Sequence, residues 1–338
     1  MPAPPSPDFN SIPVIDLEIL RRKGDGQADH ADLARGLHAA LKDVGFAYLV
    51  GHGVPTSLRD ALLHQARAFF ARPMAEKQAI AINRWHRGYM APNSSLIVTS
   101  SVATVEKPNQ SESFMALHRV PDGGPAEATA ASHPVSNSRP LDGPNQWPAG
   151  QPGLEPAVMN YMAAMEGLAR QLVQLIALGL GLPADHLATH FDRPTVFLRL
   201  LHYPPQRPET GLFGSAPHTD YGFLTLLAQD EVGGLEVRNK AGRWIPAPPL
   251  ADAFVLNVGD ILSRWSGGRL ASTPHRVRNL SIQDRYSFPF FFDPDVDTVV
   301  SPLLADPGGA FTPVRYGDYL MERLDKNYAY RKGKNGSQ

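Results

Sequence analysis

Two textures divide the chain. Up to about residue 182 the apolar positions recur mostly at helical spacing, and from Thr195 onward they gather into short runs separated by turn residues. Leu33, Leu37, Ala40, Leu41 and Val44 fall on one face of a helix predicted over residues 29–44, which Gly45 stops. A second helix is predicted over residues 55–71, with Pro55 at its start, where a missing N–H costs nothing. A long third helix is predicted over residues 154–182 and ends among Gly179, Gly181 and Pro183. Residues 12–17 (IPVIDL) and 46–50 read as short strands. Beyond Thr195 the runs VFLRLLHY, FLTLLAQ, GLEVR, WIPA, AFVLNV and RYSFPFFF are regularly spaced short strands, the pattern of a β-sandwich or barrel. A last helix is predicted over residues 316–327. Residues 1–11 read as a disordered lead. Residues 92–112 and 120–153, rich in Ser, Pro, Gly and Asn, read as loops. The fold class expected is mainly β with flanking helices, a helix-rich first half supporting a sandwich core.

Composition narrows the chemistry. The chain has 338 residues, enough for one large domain or two, and 43% of them are hydrophobic, ample for a core. It has no cysteine, which removes disulfides, thiolate metal sites and a cysteine nucleophile together. The net charge is -1 and no long run of Lys or Arg occurs, so neither a nucleic-acid groove nor an anionic membrane surface is expected as a partner. The first residues carry no basic region followed by an apolar one, and the most apolar stretch, residues 172–182, is too short to span a bilayer. These features predict a soluble, cytoplasmic protein with a small-molecule partner, as a monomer or weak homo-oligomer. With 12 histidines available, imidazole becomes the candidate carrier of chemistry.

On a strand, His-x-Asp points both side chains to one face, because strand side chains alternate with period two. Three such tripeptides occur: His30-Ala-Asp32, His190-Phe-Asp192 and His218-Thr-Asp220. The first opens a predicted helix, where capping explains it, and the second sits in a helix-to-strand connection just before Pro194. The third has a partner. His275 follows Asp220 after several predicted strands, a separation that lets the chain wrap back to the same pocket. Two histidines and one carboxylate on one face make the three-ligand set of a non-haem Fe(II) site with positions left open. Ten residues past His275 comes Arg285-Tyr-Ser287, whose Arg and Ser share a strand face and together present a fork donor and a hydroxyl to a carboxylate. Arg264-Trp-Ser266 repeats the pattern in a Gly-flanked stretch before His275 and is read as a decoy.

The runs PHTDYGFLTLLAQD, TPHRV and DRYSFPFFF, in that order, resemble the isopenicillin N synthase-like branch of the Fe(II)/2-oxoglutarate-dependent oxygenases. IPVIDL, VGFAYLVGHGV, HRGYM and LRLLHYPPQ agree upstream, so the resemblance runs from Ile12 to Phe292. It implies a double-stranded β-helix (jelly-roll) core, with His218, Asp220 and His275 as iron ligands. Arg285 and Ser287 match the pair that holds the distal carboxylate of 2-oxoglutarate, and Tyr203 matches a tyrosine that hydrogen-bonds this co-substrate. Plant members commonly carry Asn where this chain has Leu201. Arg199 on the same strand either replaces that polar contact or is half of a structural ion pair. Arg87 and Tyr89, in HRGYM, fall where relatives line the pocket mouth. Phe223, Phe290 and Phe292 are candidate pocket walls, the competing reading for each being an ordinary core aromatic. Residues 94–113 are a candidate lid or a plain surface loop.

The expected organisation is one compact catalytic unit. An N-terminal helix/strand region spans 12–153, a supporting helix and connection 154–194, the jelly-roll core 195–295, and a C-terminal helix and tail 296–338. The activity implied is a dioxygenase that uses Fe(II), 2-oxoglutarate and O2, with ascorbate as a stimulant. It couples decarboxylation of 2-oxoglutarate, giving succinate and CO2, to oxidation of a C–H bond in a small molecule. The iron centre is the catalytic element, with no separate acid or base. The rival readings are an oxidase or cyclase of the same fold that needs no 2-oxoglutarate, and a non-catalytic metal-binding sandwich.

Overall fold

The computed structural model describes residues 8–22, 27–97, 100, 102–118, 140–206, 209, 211–304 and 312–331. The expected lead at 1–11 falls largely outside these residues, as does most of the expected 120–153 loop. The first half contains β1 (Val14–Asp16), α1 (Gln27–Asp43), β2 (Phe46–Val50), α2 (Thr56–Phe70), α3 (Met74–Gln78), β3 (Gly88–Met90), β4 (Glu112–Leu117) and α4 (Leu154–Gly179). Strands then dominate: β5 (Thr195–Tyr203), β6 (Ser215–His218), β7 (Leu224–Gln229), β8 (Leu235–Arg238), β9 (Trp244–Pro246) and β10 (Phe254–Val258). The short α5 (Asp260–Trp265) leads to β11 (His275–Val277), β12 (Arg285–Asp293), the small pair β13 (Val299–Val300) and β14 (Val314–Arg315), and α6 (Tyr316–Asn327).

Eight strands form one sheet in the order β1-β2-β10-β7-β12-β5-β4-β3, and four form a second in the order β6-β11-β8-β9. Phe46, Tyr48, Leu201, Tyr203 and Val255 of the large sheet share a buried cluster with Leu235, Val237 and Val277 of the small one, so the sheets pack face to face. The other face of the large sheet packs on helices. The apolar face of α4, including Val158, Met165, Leu172 and Ile176, joins Leu37 and Leu41 of α1, Leu62 and Phe69 of α2, and Phe288, Phe290 and Phe292 of β12 in the main core. This is the expected jelly-roll with flanking helices. β1 to β4, all from the first half, extend the sheet; β3 and β4 were not visible as strands in the sequence pattern.

Strand alternation assigns β12 two jobs. Arg285, Ser287, Pro289 and Phe291 face the gap between the sheets, while Phe288, Phe290 and Phe292 face the helices. Pro289 is tolerated in this central strand because the pairing of β12 with β5 lapses at Phe288 and Pro289, opposite Leu200 and Arg199, and the proline has no N–H to offer there.

A charged cluster is buried on the helix side. Lys77 Nζ lies 2.7 Å from Glu112 Oε2 and donates to the Phe70 carbonyl at 2.9 Å, and Tyr89 donates to Glu112 at 2.5 Å. His202 reaches Glu112 through Nδ1 at 2.7 Å and Asp284 through Nε2 at 2.9 Å. Burial alone would depress the His202 pKa, but the two carboxylates outweigh it and raise it. A group with a raised folded-state pKa stabilises fully below its unfolded value, roughly 6.5, and loses that contribution as pH rises through the folded value. The thermal midpoint should therefore drop between pH 6 and pH 9 by more in the wild type than in His202→Gln. Scanning calorimetry across that range checks it, and equal slopes in the two proteins would refute it.

Candidate metal centre

His218 ends β6 and His275 begins β11, and the two residues pair directly across these antiparallel strands. Asp220 follows in the turn after β6. The ligating atoms of the three lie within 4.8 Å of one another, with Asp220 Oδ1 3.7 Å from each histidine Nε2. No other such group of His, Asp and Glu occurs among the described residues.

Every outer contact turns these atoms toward one point. His218 Nδ1 lies 2.7 Å from the Ala216 carbonyl and His275 Nδ1 3.3 Å from that of Thr273, so each Nδ1–H donates to backbone and each Nε2 keeps its lone pair for the cluster. Asp220 Oδ2 accepts from Thr225 Oγ1 at 2.5 Å and Asn257 Nδ2 at 2.7 Å, which leaves Oδ1 for the shared point. Burial, and then the neighbouring His275, lowers the His218 pKa to about 4. Burial pushes Asp220 the other way, but the two imidazoles and the Asn257 and Thr225 donors hold it below the usual carboxylate value. Two imidazole nitrogens and one carboxylate oxygen are a donor set that suits Fe(II).

A cavity of about 70 Å³ runs from this cluster to Arg285, Ser287 and Tyr203. The Arg285 side chain is fully buried, its Cζ lies 4.7 Å from the centre of the Tyr203 ring, and Nη2 donates to Gln229 Oε1 at 3.1 Å. Its Nε and Nη1 are buried with no hydrogen-bond partner. Ser287 Oγ lies 3.4 Å from the Tyr203 hydroxyl. Two unsatisfied guanidinium nitrogens inside a protein are costly unless a ligand supplies acceptors. A carboxylate delivered into this cavity would do so.

A second cavity, of about 100 Å³, adjoins the first on the other side of His218 and Asp220. His86, Arg199, Tyr221, Phe291, Asp293 and Asn327 are among its walls. The substrate candidates drawn from the sequence are elsewhere. Arg87 is buried and donates to the His118 and Leu141 carbonyls and to Asn145, which ties the β3 edge to a loop. Tyr89 is committed to Glu112. Phe223 and Phe292 pack on Phe191, and Phe290 stacks with Phe292, all in the helix-side core. None of these five lines either cavity. The error is one of parity: the residues beside them, His86 in place of Arg87 and Phe291 in place of Phe290 and Phe292, face the gap. Ser95, Ile97 and Asn109 of the candidate lid do line the second cavity, while residues 98, 99 and 101 lie outside the described set. Leu320, Leu324, Asn327 and Tyr328, on and just after α6, close the cavity, and no sequence signal marked them.

The decoys separate cleanly. Asp32 in α1 pairs with Arg35 of its own helix, His190 packs edge-on against Trp265, and Arg264 donates to the Thr312 carbonyl. Arg199 has no carboxylate partner among the described residues, which corrects its reading as half of an ion pair; its Nε donates to Ser113 Oγ at 3.0 Å.

Residues 12–150 match the family described as the N-terminal region of non-haem dioxygenases in morphine synthesis, and residues 194–294 match the 2OG-Fe(II) oxygenase superfamily. The homoarginine-6-hydroxylase 2-ODD-233 of Oryza sativa subsp. japonica is 32% identical, over 95% of this chain and 98% of its own. The 2-oxoglutarate-dependent dioxygenase tropC of Talaromyces stipitatus is also 32% identical, over 94% of this chain and 97% of its own. A full-length Neurospora crassa protein, solved in complex with alpha-KG, superposes with a TM-score of 0.78 at 26% identity, covering 96% of this chain and 99% of that one. Matched in both halves and aligned nearly end to end with such enzymes, the chain belongs to the 2OG-Fe(II) oxygenase superfamily and is an Fe(II)- and 2-oxoglutarate-dependent dioxygenase acting on small molecules.

Proposed function

We propose that His218, Asp220 and His275 hold the Fe(II), that Arg285, Ser287 and Tyr203 hold the far carboxylate of 2-oxoglutarate, and that the second cavity receives the molecule to be oxidised. The observation that carries this reading is the buried Arg285 guanidinium, with two partnerless nitrogens, facing a cavity whose other end is the three-ligand cluster. The iron, when bound, supplies the oxygen chemistry that couples decarboxylation of 2-oxoglutarate to oxidation of a C–H bond.

The chain's residues supply position and dryness. Ala216 and Thr273 fix the histidine tautomers, and Thr225 and Asn257 keep Asp220 ionised and pointed. Arg285, supported by Gln229 and the Tyr203 ring, neutralises a carboxylate where water is excluded. The adjoining cavities set two small molecules side by side, with His218 and Asp220 in the wall of each.

Hydroxylation is the outcome this arrangement supports most directly. The relatives' names give no single substrate: they include homoarginine-6-hydroxylases and a clavatol oxidase, and one structural neighbour was solved with thymine. No helix among the described residues is long and apolar enough to cross a membrane. With a net charge of -1, a cytoplasmic enzyme working as a monomer or weak homo-oligomer, apart from nucleic acid and membranes, is the reading we favour.

Alanine at His218, Asp220 or His275 should abolish turnover and Fe(II) binding, while His190→Ala spares both. Iron titrations on the four variants test this, and full activity in His275→Ala would overturn the ligand set. Removing one partner of a buried charge pair costs roughly 2–5 kcal/mol, or about 30- to several-thousand-fold in affinity. Arg285→Ala should raise the 2-oxoglutarate concentration for half-maximal succinate release by that order, with smaller rises for Ser287→Ala and Tyr203→Phe. An unchanged requirement in Arg285→Ala would move the guanidinium from the co-substrate to another role.

A further inference from the structure

Among the described residues, Arg199 is the one cation in the second cavity whose charge nothing in the protein answers. It projects from β5 into the gap between the sheets, half-buried, and lines both cavities. Its Nε is spent on Ser113 Oγ at 3.0 Å, whereas its two terminal nitrogens have no partner among the described residues. β12 offers its backbone no pairing there, because the ladder lapses at Pro289. A guanidinium held at one nitrogen by a neighbouring strand, with its fork left open toward a cavity, is oriented to grip two acceptor atoms at once.

Neither carboxylate in the rest of the cavity pairs with Arg199. Asp220 is turned toward the metal cluster. Asp293 has both oxygens engaged: Oδ1 accepts from the Phe223 N–H at 2.6 Å and Oδ2 from the Tyr316 hydroxyl at 2.7 Å. Burial moreover raises its pKa to about 7, so its charge is incomplete at neutral pH. His86, held at a left-handed φ of 62° beside Tyr330, is driven by burial to a pKa of about 3 and stays neutral. Asn109 uses its amide on Ser95 Oγ and on the Ala216 N–H. With Fe(II), the Asp220 carboxylate, the 2-oxoglutarate dianion and Arg285 in place, the charges of the centre cancel. Arg199 then leaves one positive charge facing the substrate.

We infer that Arg199 anchors the substrate, and that this enzyme selects small molecules presenting a carboxylate or a carbonyl-rich edge to it and rejects cationic ones. The inference deepens the proposed function and rests on it, since the charge balance counts both iron and 2-oxoglutarate. It separates this chain from any enzyme whose substrate enters the same cavity as a cation, for which an unopposed guanidinium would be repulsive.

The test is calorimetric titration of the anaerobic enzyme, loaded with Fe(II) and 2-oxoglutarate, with benzoate, indole-3-acetate, thymine and benzamidine, a cation of benzoate's shape that carries no carboxylate. At least one of the first three should bind and benzamidine should not; the two acids against thymine distinguish an anionic acceptor from a neutral one. Arg199→Gln should weaken the probe that binds by about tenfold to a hundredfold, the usual worth of hydrogen bonds to a charged group. Arg199→Lys, which keeps the charge without the fork, should recover only part of the loss. Binding of benzamidine, silence of all three acceptor probes, or unchanged probe affinity in Arg199→Gln would each overturn the inference. Failure of the underlying assignment reads differently, because the wild-type protein would then bind no Fe(II) or no 2-oxoglutarate when each is titrated directly.

Discussion

The alternation of side chains along β12 is the constraint on which the rest of the molecule turns. Tyr286, Phe288, Phe290 and Phe292 belong to the helix-side core, while Arg285, Ser287, Pro289 and Phe291 face the gap between the sheets. A single nine-residue strand therefore cements the large sheet to α4 and also furnishes the polar floor of the gap. Sliding it by one residue would bury Arg285 among the helices and turn three phenylalanines toward the metal cluster. The register is pinned on both sides, by β5 and by β7, and at its end by the Asp293 carboxylate, which takes bonds from Phe223 and Tyr316. Gly222 belongs to the same lock, because a Cβ there would collide with Asp293.

Keeping a gap open inside a tightly packed protein needs compensation. The two sheets close on each other at Phe46, Tyr48, Val237 and Val277, and the cavity with its inward-facing polar side chains opens beside this apolar plug, with Phe46 and Val277 in its wall. There the protein's own groups leave a buried arginine with two nitrogens that lack a partner and a carboxylate between two imidazoles. Both are destabilising by themselves. The loaded protein should therefore be more stable than the empty one, since a ligand that binds only the folded state adds its binding free energy to folding. Strain is in this sense stored where the chemistry takes place, and the helix-side core, with α1, α2 and α4 on one face of an eight-stranded sheet, is what allows it.

Much of this was legible in the sequence because it is written in local periods. Leu33, Leu37 and Leu41 announce α1, the apolar run after Leu154 announces α4, and the short apolar runs after Thr195 announce the strands. His218-Thr-Asp220 and Arg285-Tyr-Ser287 could be read because period two places both members of each pair on one face. What failed was the phase of that same period. FPFFF offers four phenylalanines with no polar residue between them to say which face is inside, so Phe290 and Phe292 looked as eligible for the pocket as Phe291. β4 was illegible for a related reason. ESFMAL is buried on both faces, between the helices and the gap, and so shows no alternation at all.

The second cavity was hidden for a different reason, which is distance along the chain. Its walls come from the turn before β3, the loop before β4, the middle of β5, the turn after β6 and the last helix, and none of these segments carries a pattern pointing to the others. The metal cluster needs only two short strands to be brought together, and their pairing is dictated by the sheet. The second cavity needs α6 to fold back over the opening. That docking is made by contacts invisible in any local window: Tyr316 to Asp293, Asn327 to Tyr221, and a bridge from Tyr328 to Ser95. The three-ligand cluster thus sits in a compact, readable core, while the walls of the second cavity stand on separately built edges. Substitutions in α6 can then reshape that cavity without touching the cluster, a division between a constant core and variable edges that this fold permits.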